Sequence, residues 1–292
     1  MTWMVKSLVV VCAVVAGTTL QPRNTVDELL AADRAFSAAS ARSTLVDGIA
    51  AMLADSVIMP SGPTLAEGKA NVVETLRSNP DNLTSRFEWS PVRGGVSADG
   101  QHGFTFGYGT VTKADNSTVP VRYLAYWVKG PQGWRLAAYK RGRRPDAPAP
   151  TTLMPPSLPP RAVAPTADAK IISAHLMSLM QAEEAFSDEA GRIGLGPAFA
   201  KWGSDDAMNM GRPNDTTFVI GAERIGKAVG AGSEGPSPVV WKSDKALVAS
   251  SGDLGVSFGR IRQKTDVSAP GQPFFTVWRR AGPNDPWRYI AE

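Results

Sequence analysis

The chain has 292 residues, 43% of them hydrophobic and 20% charged, with a net charge of +4. That balance fits a globular protein of one large or two ordinary domains and excludes a disordered or fibrous chain. Lys and Arg concentrate only at Lys140-Arg141-Gly142-Arg143-Arg144, without a basic face interleaved with aromatics, so no nucleic-acid partner is expected.

The N-terminus reads as a secretory signal over 1–19. Lys6 precedes the apolar run Leu8–Gly17, which falls short of the about twenty apolar residues that a membrane span needs. Cleavage after Val14-Val15-Ala16 would give an exported, periplasmic or secreted protein. The alternative is a lipoprotein signal with Cys12 as the lipidated residue, against which the bulky Val11 stands. Cys12 is the single cysteine, so a chain freed of its signal carries no disulfide and no thiolate metal site. No later run reaches membrane length, so no membrane span is expected after signal removal.

A first domain is expected over 22–142. Val26, Leu29, Leu30 and Phe36 recur near helical spacing, with Thr25 as a cap and Glu28 closing a capping box. A short helix at Leu45–Leu53 follows, then a strand at Val57–Met59 and a small helix after Gly68. Extended segments at Ser85–Trp89, Gly103–Lys113, Val121–Lys129 and Trp134–Tyr139 complete it, with Lys129–Gly133 as a hairpin loop. Residues 143–167 hold eight prolines and read as a semi-rigid linker.

The second domain, 168–292, repeats the pattern. Ala35-Phe36-Ser37 recurs as Ala185-Phe186-Ser187, and Gly103–Gly107 as Gly255–Gly259. Trp127 recurs as Trp278, and Trp134-Arg135 as Trp287-Arg288. Matches in one order at nearly constant spacing indicate duplication. Helices followed by an antiparallel meander make each copy an α+β domain.

That order resembles the SnoaL-like and ketosteroid-isomerase-like superfamily, also called nuclear-transport-factor-2-like. The resemblance is to its branch of short bacterial domains of unknown function. It rests on Asp55–Pro60 and Asp205–Met210 in the first strand, Ser251–Gly259 and, loosely, Ser97–Gly103 in a later one, and the Trp-Arg pairs of the last hairpins. It implies two tandem cone-shaped domains, each a curved antiparallel sheet wrapped around a long N-terminal helix. It also implies a pocket for a small apolar ligand and sheet-to-sheet pairing of the halves as an intramolecular pseudo-dimer. The pocket is expected among Phe36, Met59, Phe106, Tyr108 and Tyr123 in the first half. In the second it is expected among Phe186, Met210, Phe258, Arg260 and Phe275.

The chemistry is less defined. Asp33 and Glu183 hold equivalent helix positions and, with Tyr108, are the catalytic candidates; as helix carboxylates they default to solvent. Tyr108, Tyr123 and Tyr139 offer hydroxyls that the second half lacks, with Arg260 matching Tyr108 and Phe274 or Phe275 matching Tyr123. Glu88 is expected on the solvated face of its strand. His102 and His175 lack ligand-spaced companions, so no metal or other cofactor is expected. Gly255-Val-Ser-Phe-Gly259 has the letters of a nucleophile elbow, but no His follows it. Three readings stay open: a ligand-binding or accessory protein, an isomerase, lyase or hydrolase using one half, and a protein-interaction module.

Overall fold

The computed structural model describes residues 21–292, so the signal expected over 1–19, with Cys12, lies outside the described residues. Helix α1 (Pro22–Ser40) starts before the expected Thr25 cap. Gln21 is the N-cap residue and Pro22 occupies the first turn, where its missing N–H leaves no bond unmade. Thr25 is instead buried inside the helix, its hydroxyl on the Gln21 carbonyl at 3.3 Å. Helix α2 (Leu45–Met52) is capped by Thr44, which accepts from the Asp47 amide at 3.2 Å.

Strands β1 (Leu53–Ser61) and β2 (Thr64–Glu67), helix α3 (Lys69–Arg77) and a short 3₁₀ turn (Pro80–Leu83) follow. Four long strands close the half: β3 (Arg86–Val96), β4 (His102–Thr112), β5 (Thr118–Gly130) and β6 (Gly133–Arg143). The six strands run β2-β1-β6-β5-β4-β3, with β1 and β6 parallel and the other pairs antiparallel.

The second half repeats this topology. Helices α4 (Ala169–Ile193) and α5 (Leu195–Trp202) lead into β7 (Gly203–Asn209) and β8 (Val219–Ile220). Helix α6 (Ala222–Gly230) and strands β9 (Val239–Val248), β10 (Leu254–Gln263), β11 (Gln272–Arg279) and β12 (Arg288–Ala291) complete it. The order is β8-β7-β12-β11-β10-β9, with β7 and β12 parallel. Even the bulges match. Val92 and Asp244 are each skipped by the neighbouring strand, as are Ala137 and Ile290. Each extra residue bends its strand, which is how these sheets curve around α1 and α4.

Strand alternation gives each sheet two buried faces. In the first, Phe87, Trp89, Tyr123 and Trp127 face α1 and its core. Phe104, Phe106, Leu124 and Tyr126 face the other way and pack with Leu254, Val256, Phe258, Phe275 and Val277 of the second half. These are joined by Phe218, whose ring lies 5.0 Å from Phe106 and 4.9 Å from Tyr108.

Polar contacts at the rim are reciprocal. Asp99 accepts from Ser250 Oγ (2.8 Å) and the Ser251 amide (3.0 Å), while its counterpart Asp253 accepts from the Ala98 amide (3.1 Å). Each fully buried phenylalanine contributes about 1.5–3 kcal/mol, against about 1 kcal/mol for a typical hydrogen bond, so apolar burial holds the halves together and the rim sets their register.

The proline-rich segment is not a free spacer. Met154 N donates to Val92 O (2.8 Å), Ser157 N to Gly94 O (3.0 Å) and Val163 N to Ala98 O (2.9 Å). Ser157 is buried, and its carbonyl accepts from the Val96 amide (3.3 Å) and from Arg279 Nη2 (3.3 Å). The segment is thus strapped along the outer edge of β3 and touched by the second half.

Candidate functional site

Asp33 and Glu183 are not solvated helix carboxylates: they are 0% and 1% exposed. Each sits one turn before a serine that ties its helix to the sheet. Ser37 Oγ donates to Trp89 O (2.6 Å) and accepts from Trp89 N (2.7 Å), and Ser187 Oγ accepts from Trp241 N (2.9 Å). That tie brings an indole beside each carboxylate. Trp89 Nε1 donates to Asp33 Oδ1 (2.6 Å), and Trp241 Nε1 donates to Glu183 Oε1 (2.7 Å).

The second carboxylate oxygen is served differently. Asp33 Oδ2 accepts from Tyr123 Oη (2.7 Å), whereas Glu183 Oε2 accepts from Ser257 Oγ (2.5 Å) and Trp278 Nε1 (3.0 Å). Burial pushes both carboxyls above the usual carboxylate range, and these donors oppose the shift. The Ser257 of the elbow-like motif is therefore a strand donor to a buried acid.

The strand registers show where the copies diverge. Tyr123 stands opposite Gly107 and Phe274 opposite Gly259, so Phe274 is the true counterpart of Tyr123. Tyr139 follows Ala138 as Glu292 follows Ala291, each alanine paired at the matching place in its hairpin. Two tyrosines, their ring centres 6.4 Å apart, thus stand in the first half where a phenylalanine and a glutamate stand in the second. The second half has a cavity of about 300 Å³ there. Glu183 and Trp241 lie within it, Val229, Val239, Ile261 and Phe274 form apolar walls, and Asn209, Thr276, Glu292 and Lys140 supply polar groups.

Glu292 is anchored by Asn209 Nδ2 (3.2 Å) and Thr276 Oγ1 (3.2 Å), and burial, with Glu183 adding like charge, raises its proton affinity. Lys140 comes from β6 of the first half, donates to Phe275 O (3.3 Å) and has its ammonium lowered by burial.

The expected pocket is only partly assembled. Met210 lines the cavity, and Phe275 borders it beside Lys140. Phe106, Tyr108 and Phe258 instead point to the opposite face, into the core between the halves. Tyr108 is therefore remote from Asp33's face of the sheet and is no partner for it. Phe186 is buried beneath the cavity among Phe199, Trp241 and Tyr289. Phe36 stacks half-buried on Trp127 (5.9 Å), and Tyr123 is committed to Asp33. Arg260 bonds Pro63 O (2.9 Å) outside the cavity. Met59 and Tyr139 border a separate cleft of about 300 Å³ at the mouth of the first half, with Lys140 and Arg141.

Glu88 is exposed, as its alternation requires. His102 opens β4; its Nδ1 is 2.9 Å from Tyr126 Oη, and burial lowers the imidazole's pKa to about 4. His175 is half-buried on α4, 3.1 Å from Arg280. The sequence places Ser257 only in an elbow-like motif and Lys140 only in a basic run, and it marks Trp89, Trp241 and Glu292 as no part of a site. The available signal was the internal repeat, which keeps a tryptophan at 89 and 241 as it keeps an acid at 33 and 183.

No family model and no curated protein matches the chain. Among solved structures it is similar to a ketosteroid isomerase-like protein from Erwinia carotovora atroseptica, at 20% identity and TM-score 0.32, covering 40% of this chain and 95% of that one. It is similar to an NTF2-like protein of unknown function from Pseudomonas putida, at 14% identity and TM-score 0.34, covering 46% of this chain and 99% of that one. A protein of unknown function with a cystatin-like fold from Nostoc punctiforme matches at 16% identity and TM-score 0.33, covering 42% of this chain and 94% of that one. Each match spans less than half of the chain. The tandem α+β architecture is read from the chain's own two sheets.

Proposed function

We propose that the chain binds one small, largely apolar molecule in the cavity of its second half, with the first half as a fixed partner. The carrying observation is the asymmetry of the copies: where the first places Tyr123 and Tyr139, the second has Phe274 and Glu292 beside a cavity of about 300 Å³. Apolar walls with a few polar groups at one end are the usual make-up of a small-molecule site. The chain would act as a monomer, its two halves pairing sheet to sheet within one chain, and would be exported by the Lys6 and Leu8–Gly17 segment.

Trp241 borders the cavity and reports occupancy by fluorescence. Titration with benzyl alcohol, a small apolar probe with one polar end, is expected to quench saturably. Val229→Trp, which fills the cavity, should abolish the quench while leaving the circular dichroism unchanged. An equal response from both proteins would overturn the reading.

A second reading, a small-molecule isomerase, lyase or hydrolase, is supported by Glu183, a buried carboxyl suited to general acid–base work. It requires that Glu183→Gln abolish conversion of a bound compound while the compound is still retained.

A further inference from the structure

Lys140 belongs to the first half by sequence and to the second half's cavity by position. Tyr139 turns inward on β6, so alternation sends Lys140 to the outer face, against the other sheet. There Nζ donates to Phe275 O at 3.3 Å and lies 4.7 Å from the centre of the Phe275 ring. Half-buried and held this way, the lysine has given up part of its water, which weakens its hold on a proton more than the nearby Glu292 strengthens it. The carboxyls of Glu183 and Glu292 line the same cavity, both shifted toward their protonated forms, so an acid accompanies the amine.

We propose that Lys140 is a nucleophilic amine that captures the carbonyl group of a small apolar aldehyde or ketone as an imine inside the second-half cavity. The proposal rests on the binding reading above, because the carbonyl compound must first enter that cavity. Neutral Nζ attacks the carbonyl carbon, forming the C–N bond as the C=O π pair moves to oxygen, which takes up a proton. The nitrogen then loses a proton and the hydroxyl leaves as water, so amine plus carbonyl gives imine plus water with no redox change. Glu292, held by Asn209 and Thr276, protonates the departing hydroxyl and regains the proton that the nitrogen sheds. The walls of Val229, Val239, Ile261 and Phe274 favour the imine by keeping out the water that would hydrolyse it.

The test uses benzaldehyde with sodium cyanoborohydride, which reduces the imine to a stable benzylamine, followed by peptide mass spectrometry of the full chain. Lys140 is expected to be modified at least tenfold faster than the exposed Lys69, Lys170 and Lys227, because burial lowers the pKa of its ammonium to about 8 and leaves it more often deprotonated at neutral pH. Benzyl alcohol, which occupies the cavity but cannot react, should protect Lys140 alone. Lys140→Arg should lose the fast adduct while the exposed sites react as before. Labelling of Lys140 no faster than the exposed lysines overturns the proposal, and this comparison needs no variant. Saturable benzyl alcohol binding without preferential labelling sinks the imine and leaves the binding reading standing. Loss of both sinks both.

Discussion

Tyr123→Phe places at this position the phenylalanine that the second half carries there, without the Ser257 and Trp278 donors that serve the buried acid of that half. The hydroxyl it removes donates to Asp33 Oδ2 at 2.7 Å, between side chains only 1% and 0% exposed, so water cannot take its place. A hydrogen bond to a charged group is worth about 1.5–3 kcal/mol, and the phenyl ring fits the same space, so that range is the expected loss. At about 2–4 °C per kcal/mol, the midpoint of thermal unfolding should fall by roughly 3–12 °C.

The loss should also depend on pH. Burial raises the proton affinity of Asp33 in the folded state. The group therefore favours folding below the usual carboxylate range, and that favour is lost as pH rises through the folded pKa. Tyr123 limits the loss by stabilising the ionised form, so its removal costs most at pH 8 and least below pH ~4. Urea denaturation followed by tryptophan fluorescence at the two pH values reads the difference. A cost below about 0.5 kcal/mol at pH 8, the scatter of a neutral surface change, or an equal cost at both pH values, would refute the reasoning.

Asp99→Ala removes the acceptor of four donors, two of them, Ser250 Oγ and Ser251 N, from the other half. Each donor left unsatisfied costs about 1–3 kcal/mol, discounted because these loops border solvent, so a loss of about 2–4 kcal/mol is expected in urea denaturation. Burial pushes this carboxyl up, but the hydrogen bonds from Ser97, Gln101, Ser250 and Ser251 outweigh it and hold it below the usual range. Its contribution is therefore present above pH ~4 and fades as pH falls further, and the difference between variant and parent should fade with it. In hydrogen exchange, the Met154 and Ser157 amides, bonded to the β3 edge, should be protected at least as well as the strand's outermost turns. Exchange at the rate of a free chain would show the segment to be a loose spacer.

The tandem repeat, its element order and the aromatic frame were legible because Phe36/Phe186, Trp127/Trp278 and Trp134/Trp287 recur in step. The faces of the strands were not. In Gly103–Gly107 and Gly255–Gly259 both sides of the sheet are buried, one against a helix and one against the other half, so no polar alternation separates pocket from interface. Phe106, Tyr108 and Phe258 were assigned to the wrong side for that reason. Asp33 and Glu183 were hidden by distance: the indoles that make their burial tolerable lie 56 and 58 residues further along the chain. Lys140 stood in a basic run whose ordinary place is solvent, and only the packing of one half on the other turns it inward.

The strap on β3 also bears on whether one copy of the chain can pair with another. The exposed rim of a sheet is a template on which another chain can add a strand, and such additions propagate. Residues 154–157 occupy that rim, and Pro155 and Pro156, lacking an N–H, cannot pass the pairing outward to a further strand. The matching rim of the second half, β9, is guarded by other means: the bulge at Asp244 breaks its register, and Lys242, Asp244 and Lys245 expose charge along it. Duplication thus left one chain with two long sheet edges, β3 and β9, besides the short edges β2 and β8, and each long edge is closed to self-association by a different device.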